Sequence, residues 1–262
     1  MEELRNRFKR LEFILNGEPF IRFKDFLFFR LCLPLWDTNG EGGIAKSDGN
    51  EVVPLLSDTT FAGTEIVSAI EFKYLNWKMA TGKFHSLFKN CTKLKEIGLK
   101  EGSHLVNNMF ENCTSLEIIE LPNVVDDSDT SDYTFLRCES LKRISLPGNK
   151  KRYGNYCFSE TALEKIEFPD AVTLIRMLAC HKCNYLKEVV IGTGITEIGN
   201  AAFNTCPAMK TCYIKATTPP IITQFTFDNN TCNIYVPRAS VDIYKSATNW
   251  SKYVSRIYGY DF

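Results

Sequence analysis

The sequence predicts an α/β repeat fold, in which short coils stack into a solenoid, and three observations support this prediction. First, an apolar frame of the form F-x-x-C-x-x-L-x-x-I-x-[LIF] returns along the chain. Second, the interval between its leucine positions is nearly constant. Third, proline follows the frame in four copies, at Pro122, Pro147, Pro169 and Pro237. Alternating core residues that end at a proline are typical of a short strand, so each copy contributes one strand.

The frame aligns to the chain in eight copies. Its leucine position recurs at intervals of 22 to 27 residues, within the roughly 20 to 29 residues that leucine-rich repeats span. The Phe and Cys positions have the spacing of one helical or tight turn. We therefore predict a leucine-rich-repeat solenoid, a right-handed coil with a parallel β-sheet and short helical turns, capped at both ends. The Phe, Cys, Leu and Ile positions are Phe61, Thr64, Val67, Ile70; Phe88, Cys91, Leu94, Ile97; Phe110, Cys113, Leu116, Ile119; Phe135, Cys138, Leu141, Ile144; Phe158, Thr161, Leu163, Ile166; Cys180, Cys183, Leu186, Val189; Phe203, Cys206, Met209, Cys212; and Phe225, Asp228, Thr231, Ile234.

The repeats divide the chain into four predicted segments. Residues 1–20, rich in Arg, Lys and Phe, do not fit the frame and form an N-terminal extension. Residues 21–60 are expected to form a helical cap that contains an EF-hand-like loop at 37–48. Residues 61–236 hold about eight coils, and residues 237–262 form a C-terminal cap.

The charge balance excludes two classes of partner. Lys plus Arg and Asp plus Glu both number 31 in the 262 residues, so no long-range field draws the chain to nucleic acid or to an anionic membrane. The most apolar stretch, 26–36, is shorter than the roughly 20 residues of a spanning helix, and we expect no membrane insertion. No signal peptide is visible. The chain is therefore intracellular, has lost its export signal, or leaves the cell by another route.

The cysteines are expected to be structural. Five of the ten occupy one repeat position and should form an inward-facing column of apolar thiols. A long repetitive core does not need the disulfides that stabilise small secreted domains. The alternative concerns Cys180 and Cys183, whose C-x-x-C spacing around His181 suits zinc or a redox pair. No second ligand pair of that spacing accompanies them.

No group of residues resembles a catalytic site, and we predict that the protein is not an enzyme. The histidines His85, His104 and His181 lie in different repeats and do not suggest a catalytic triad. Phosphate-binding glycine motifs and H-E-x-x-H are absent from the sequence. We expect no cofactor other than calcium.

Calcium is suggested by residues 37–48. Asp37, Asn39, Glu41 and Asp48 occupy positions 1, 3, 5 and 12 of an EF-hand loop, and Gly43 offers its backbone carbonyl at position 7. Two departures weaken the match, because Glu41 replaces Asp or Asn and Asp48 is shorter than the usual bidentate Glu. The alternative is a glycine-rich turn that kept the shape and lost the ion.

The repeat frame, continued by I-T-E-I-G-N-A-A-F from Ile195 to Phe203, resembles the BspA-like leucine-rich repeat family of bacterial surface proteins. The calcium-loop-like entry segment and the run that includes Ile234-Tyr-Val-Pro237 resemble the two ends of such proteins. The resemblance implies adhesion at the cell surface, outside the cell, through a protein or glycan ligand and without chemistry. It assigns no binding residue, because the family motif consists of core positions.

The binding surface is expected on the solvent-facing positions of the strands, which stacked repeats join into one face. Tyr and Arg contribute most to interface energy, which favours Tyr213, Tyr235 and Arg143. A second candidate surface is the insertion 126–133. The alternative function is a structural spacer or scaffold component of a cell-envelope or virion assembly. The candidate partner-binding residues are Glu96, Glu117, Arg143, Lys165, Glu188, Tyr213 and Tyr235.

Overall fold

The repeats stack into a solenoid of parallel strands, which confirms the predicted fold class. The computed structural model describes residues 14–15, 18–38, 40, 42–57, 60–79, 86–124 and 131–262. Most of the N-terminal extension predicted at 1–20, part of the calcium loop and most of the insertion at 126–133 therefore lie outside the described residues.

Short strands alternate with tight turns along the described chain. The helices are α1 (Phe26–Trp36), α2 (Lys46–Glu51) and α3 (Val241–Ser246), with 3-10 helices at Ile70–Tyr74, Arg238–Ser240 and Trp250–Arg256. The strands are β1 (Ile14–Leu15), β2 (Glu18–Pro19), β3 (Leu55–Leu56), β4 (Ser68–Ala69), β5 (Lys78–Met79), β6 (Glu96–Ile97), β7 (Ile118–Glu120), β8 (Arg143–Ser145), β9 (Arg152–Tyr153), β10 (Lys165–Phe168), β11 (Leu174–Ile175), β12 (Glu188–Ile191), β13 (Glu197–Ile198), β14 (Thr211–Ile214), β15 (Ile221–Ile222), β16 (Asn233–Pro237) and β17 (Ile257–Tyr260).

Two parallel sheets run along the solenoid. The main sheet has the order β10-β12-β14-β16-β17, and the second has the order β15-β13-β11-β9. The parallel pairs β4-β6 and β7-β8 occupy the same place in earlier coils. In the main sheet Ile166, Val189, Cys212 and Ile234 are in register and buried. Since side chains alternate along a strand, their neighbours face solvent.

A ladder of stacked phenylalanines fills the turn side of the core. The ring centroids of Phe61 and Phe88 are 5.0 Å apart, those of Phe88 and Phe110 5.8 Å, and those of Phe110 and Phe135 5.3 Å. Phe158 continues the ladder at 5.7 Å from Phe135. All five side chains are buried, so each coil covers an aromatic face that the coil alone would expose.

The predicted inward-facing column of cysteines is confirmed. Each thiol is buried and donates a hydrogen bond to the carbonyl of the Phe position in the preceding coil. Burial raises the pKa values of the Cys113 and Cys206 thiols well above the usual value for cysteine. Both thiols therefore stay protonated and can donate hydrogen bonds. The sulfur–oxygen distances are 3.0 Å for Cys91 to Phe61, 3.2 Å for Cys113 to Phe88, 3.1 Å for Cys138 to Phe110, 3.1 Å for Cys183 to Phe158 and 3.1 Å for Cys206 to Cys180.

The segment between the Phe and Cys positions is a tight turn closed by backbone hydrogen bonds, such as the one from Cys113 N to Phe110 O at 3.0 Å.

Left-handed backbone recurs on both sides of the Phe position in successive coils. Such a conformation is strained for a residue with a side chain, and the stacked coils hold it in place. The two columns of left-handed residues are Asn108, Tyr133, Tyr156, Leu178 and Ala201, and Asn90, Asn112, Arg137, Glu160, Lys182, Thr205 and Asn229.

The predicted frame was wrong by one residue in the first coil. β4 pairs Ala69 with Ile97, so Ala69 takes the strand position that we assigned to Ile70. Ile66 is fully buried, whereas Val67, predicted for the core, is 41% exposed. The turn from Phe61 is one residue shorter than the frame, and a shift of one residue moves alternate side chains to the opposite face.

The last copy of the frame was also wrong. Phe227, not Phe225, is buried and stacks on Phe203 at 5.6 Å. Asn230 takes the Cys position, and its side-chain amide donates to the Phe203 carbonyl at 2.9 Å, as the thiols do in other coils. Cys232 is buried where Thr231 was expected. The turn therefore starts later than the frame predicts.

The N-terminal helix docks on the first coil through reciprocal carboxylate contacts. Asp25 caps α1 by accepting from Leu27 N at 2.7 Å, and its other oxygen accepts from Ser68 N at 3.2 Å. In return, Glu71 of the first coil accepts from Lys24 N at 2.9 Å. Within the described residues, the second Glu71 oxygen is buried and has no hydrogen-bond partner. Burial raises the pKa of Glu71.

Glu71→Gln is expected to stabilise the protein at neutral pH. Burial raises the pKa of Glu71 in the folded state above its value in the unfolded state. At a pH above the folded pKa, Glu71 is charged in both states, and its buried charge destabilises the fold. At a pH below the unfolded pKa, Glu71 is neutral in both states, and this destabilisation is absent. Gln keeps the acceptor for Lys24 N and has no charge. Thermal unfolding against pH should show a higher Tm for the variant at neutral pH and equal values in acid. A pH-independent difference would contradict this account.

At the other end, α3 and the 3-10 helix Trp250–Arg256 close the core. The Tyr244 hydroxyl donates to Ala216 O at 2.8 Å, and the Trp250 indole donates to Pro220 O at 2.9 Å. Both side chains are buried. The segment then returns as β17, which pairs in parallel with β16. The region predicted as a C-terminal cap thus adds a strand to the main sheet.

Candidate binding surface

The outward side of the main sheet carries two rows of solvent-facing residues set by strand register. The first row begins with the pair Lys165 and Glu188 and continues through Thr211. The second row changes from charged to aromatic along the solenoid. The residues in register along it are Glu167, Val190, Tyr213, Tyr235 and Tyr258, of which Val190 is buried.

Five aromatic side chains form one contiguous surface, here called the aromatic patch, at the end of this sheet. Tyr213 and Tyr235, both predicted as partner-binding residues, stack with ring centroids 5.0 Å apart. Tyr258 lies 5.8 Å from Tyr235, Tyr260 lies 5.2 Å from Tyr213, and Phe262 lies 5.0 Å from Tyr260. Burial among these neighbours raises the pKa of Tyr213, so its hydroxyl stays protonated.

The aromatic patch is open to solvent. Tyr258, Tyr260 and Phe262 remain 45%, 42% and 52% exposed. A shallow groove borders the patch, where Arg238 and Asp261 form a bidentate ion pair with distances of 3.0 and 2.7 Å. Single exposed apolar side chains are common on protein surfaces, whereas a contiguous exposed cluster marks an interaction site.

Four charged partner-binding candidates, Glu96, Glu117, Lys165 and Glu188, form ion pairs on the outward face with residues of neighbouring segments. Lys165 and Glu188 form an ion pair at 2.7 Å, and Lys142 and Glu117 lie 3.9 Å apart. Glu96 pairs with Lys24 of the N-terminal segment. Exposed pairs of this kind contribute little to stability. Each pair brings opposite charges together, so these pairs add little net charge to the face.

Arg143 lies apart from the aromatic patch. It lines a shallow depression with Lys142, Glu164 and Lys165 on the outward side of β8 and β10. The structure therefore brings two of the seven predicted partner-binding residues, Tyr213 and Tyr235, into one cluster. The five charged candidates are distributed along the remaining length of the face.

The EF-hand-like loop starts directly after α1, and its last three residues form the first turn of α2, so the segment is a helix–loop–helix arrangement. Ile21 N donates to Ile44 O at 2.8 Å and fixes the middle of the loop to the chain before α1. The carboxylates of Asp37 and Asp48 accept from Gly42 N at 2.8 Å and Ala45 N at 2.9 Å. Gly43 is buried, with its Cα facing the Phe20 ring. Asn39 and Glu41 lie outside the described residues.

A family model provides the decisive comparison. The model described as the BspA type leucine-rich repeat region matches residues 56–185 and 151–257 of this chain, in six copies. The chain belongs to the BspA-type leucine-rich repeat family. BspA-type proteins are typically associated with surfaces and commonly mediate protein binding or adhesion.

Other comparisons add less about this BspA-type protein. A crystal structure of a leucine-rich repeat protein from Bacteroides ovatus aligns with a TM-score of 0.42 and 19% sequence identity. The alignment covers 66% of this chain and 49% of that one. A search of curated proteins found no match. Among the described residues of the BspA-type chain, no helix is long and apolar enough to cross a membrane.

Of the C-x-x-C pair of this BspA-type protein, Cys183 belongs to the cysteine column and Cys180 takes the Phe position of its coil. Cys183 donates to Phe158 O, and the Cys180 carbonyl accepts from Cys206. His181 is partly buried, which lowers its pKa, and its Nδ1 lies 3.2 Å from Asn204 O. Within the described parts of the chain, no group of three or more His, Cys, Asp or Glu side chains is arranged to hold a metal ion. BspA-type repeats are typically non-catalytic.

Three members of the aromatic patch, Tyr258, Tyr260 and Phe262, were missed by the sequence analysis. The repeat frame needs Phe, Cys and Leu positions before the strand, and none precedes β17. The alternation in I-Y-G-Y-D-F, with an aromatic residue at every second position, is the signal that could have identified them. It is the pattern of a strand with one aromatic face.

Proposed function

We propose that this protein is a non-catalytic adhesion protein that binds a protein or glycan ligand at the bacterial cell surface through the outward face of its main sheet. The aromatic patch is the observation that supports this proposal most directly. It places five aromatic side chains on one continuous surface, and Tyr is among the residue types that dominate interface energies.

The architecture suits such a role. Coils held by Phe stacking and thiol–carbonyl bonds form a scaffold on which side chains of successive strands keep fixed spacings. A preorganised surface loses little conformational entropy when a ligand binds. The charged part of the face, which includes Glu117 and Arg143, extends the surface beyond the aromatic patch and would select ligands by local complementarity.

Tyr235→Ser is expected to weaken ligand binding by roughly tenfold or more, because Tyr235 lies at the centre of the patch. The experiment is an array of host matrix proteins, glycans and bacterial surface extracts, probed with wild type and variant. Tyr185→Ser is the matched control, since Tyr185 is an exposed tyrosine outside the patch. A second variant, Glu117→Lys with Arg143→Glu, tests the charged part of the face.

Two results would contradict the proposal. One is the absence of any ligand for the wild-type protein across the array. The other is a ligand that Tyr235→Ser, Tyr185→Ser and the charge-reversal variant all bind as well as wild type does, since that ligand would occupy another surface.

We also propose that the loop at 37–48 binds calcium. The helices on both sides of the loop and the two carboxylates at its first and last positions, Asp37 and Asp48, support this proposal.

Calcium at a hundredfold excess over its Kd would stabilise the fold by about 2.7 kcal/mol. Asp37→Asn with Asp48→Asn keeps an acceptor at each position and removes both charges. We expect calcium to raise the Tm of wild type and not of this variant; equal Tm values for wild type in calcium and in chelator would identify a calcium-free turn.

A further inference from the structure

The last strand of the main sheet has one open edge. β17 pairs with β16 through four residues, from Ile257 to Tyr260. No other strand pairs with it within the described residues. Because alternate residues of a parallel strand direct their N–H and C=O groups to opposite sides, half of the β17 backbone groups face away from β16. An unpaired edge of this kind is a template for a further strand.

The composition of β17 does not protect this edge. Natural sheets commonly protect an open edge with charged side chains or proline. β17 reads I-Y-G-Y and contains neither. The open edge at β17 therefore combines strand-favouring residues at three of its four positions, Ile257, Tyr258 and Tyr260, with an uncharged outward face.

The aromatic row ends at the same edge. The centroid distances from Tyr213 to Tyr235 and from Tyr235 to Tyr258, 5.0 and 5.8 Å, follow the spacing of the strands that carry the rings. Each ring of the row lies against the ring on the next strand. Tyr258 has such a neighbour on one side only among the described residues, so a side chain on an added strand would meet its other side.

We infer that β17 binds an extended segment of a partner protein as a sixth strand of the main sheet, with an aromatic side chain of that segment against Tyr258. The inference rests on the proposed function and names its ligand as a protein segment rather than a glycan. The open edge favours this choice, because a polypeptide backbone presents N–H and C=O groups at the spacing of the unpaired groups of β17, and a glycan does not. Main-chain bonds supply affinity in such strand addition, and side chains supply specificity.

The test selects peptides from a displayed library of random linear peptides on the 262-residue chain. Tyr258→Lys places a charge on the edge strand at a solvent-facing position and leaves the core unchanged. Tyr185→Lys is the matched control at an exposed tyrosine elsewhere. We expect selected peptides to carry an aromatic residue, to bind Tyr258→Lys roughly tenfold or more weakly, and to bind Tyr185→Lys as wild type. Bound peptide should slow amide exchange at the β17 residues that do not bond to β16.

Three outcomes would overturn the inference. Failure of the library to yield a peptide that discriminates Tyr258→Lys from Tyr185→Lys would exclude strand addition at β17. Unchanged amide exchange in β17 with a bound peptide would show that the peptide contacts side chains only. A wild-type dimer that Tyr258→Lys dissociates, measured by sedimentation, would show that a second copy occupies the edge. In each case, loss of array ligands in Tyr235→Ser would leave the proposed function standing.

Discussion

Phe110→Ala is expected to lower the free energy of unfolding by about 3–5 kcal/mol, the range for deletion of a buried phenylalanine. Phe110 is fully buried between Phe88 and Phe135, with ring centroids 5.8 and 5.3 Å away. Its removal exposes two ring faces to a cavity that neighbouring coils cannot fill without shifting their strands. Urea denaturation followed by circular dichroism measures the loss.

Phe225→Ala is the control, because Phe225 is exposed and lies outside the ladder. Its effect should stay within about 0.5 kcal/mol, as for most surface substitutions. Equal losses for the two variants would show that the stacked ladder does not stabilise the solenoid. A change in the slope of the Phe110→Ala transition, without a change in midpoint, would instead indicate independent melting of parts of the repeat array.

Lys150→Met is expected to raise the free energy of unfolding by about 2–3 kcal/mol, because it replaces a buried charge by an apolar side chain of similar length. Lys150 is fully buried, and among the described residues its Nζ atom has no hydrogen-bond partner. Its ammonium group acts on Cys157: burial raises the pKa of that thiol to about 12, and Lys150 opposes the shift. Thermal and urea unfolding measure the gain.

The neighbouring lysine supplies a matched control. Lys151 is exposed, so Lys151→Met should leave the free energy of unfolding nearly unchanged. A destabilised Lys150→Met, beside a neutral Lys151→Met, would mean that the ammonium group is compensated in the folded protein. In that case the Lys150 ammonium group would stabilise the folded protein through a favourable interaction.

The fold could be predicted because the same core positions recur in eight copies, so an error in one copy does not alter the architecture. The errors lie in single coils. In the coils of Phe61 and Phe158, threonine replaces cysteine, and the turn to the next core residue is one residue shorter. The alignment allowed for the shorter turn at Phe158, where Leu163 and Ile166 are buried as predicted, and missed it at Phe61. Thr64 and Thr161 donate to the Phe carbonyl of their own coil, at 2.7 and 2.9 Å. A cysteine instead reaches back to the preceding coil.

The candidate site was predicted in part. Tyr213 and Tyr235 followed from the alternation of the repeat strands, which directs their side chains to solvent. The sequence could not show that the chain returns after α3 to place Tyr258, Tyr260 and Phe262 beside them, because that return depends on the packing of Tyr244 and Trp250 against earlier coils. Which strand lies at the sheet edge is likewise a property of the assembled coils.

The accessibility of each thiol in the cysteine column depends on whether its coil has separated from the preceding one. Five coils place a sulfur at the same position, and each sulfur is shielded as long as its coil is closed on the preceding one. Repeat arrays unravel from their ends or at weak junctions rather than all at once. The order in which alkylating reagents reach Cys91, Cys113, Cys138, Cys183 and Cys206 therefore reports, coil by coil, where the array begins to fray.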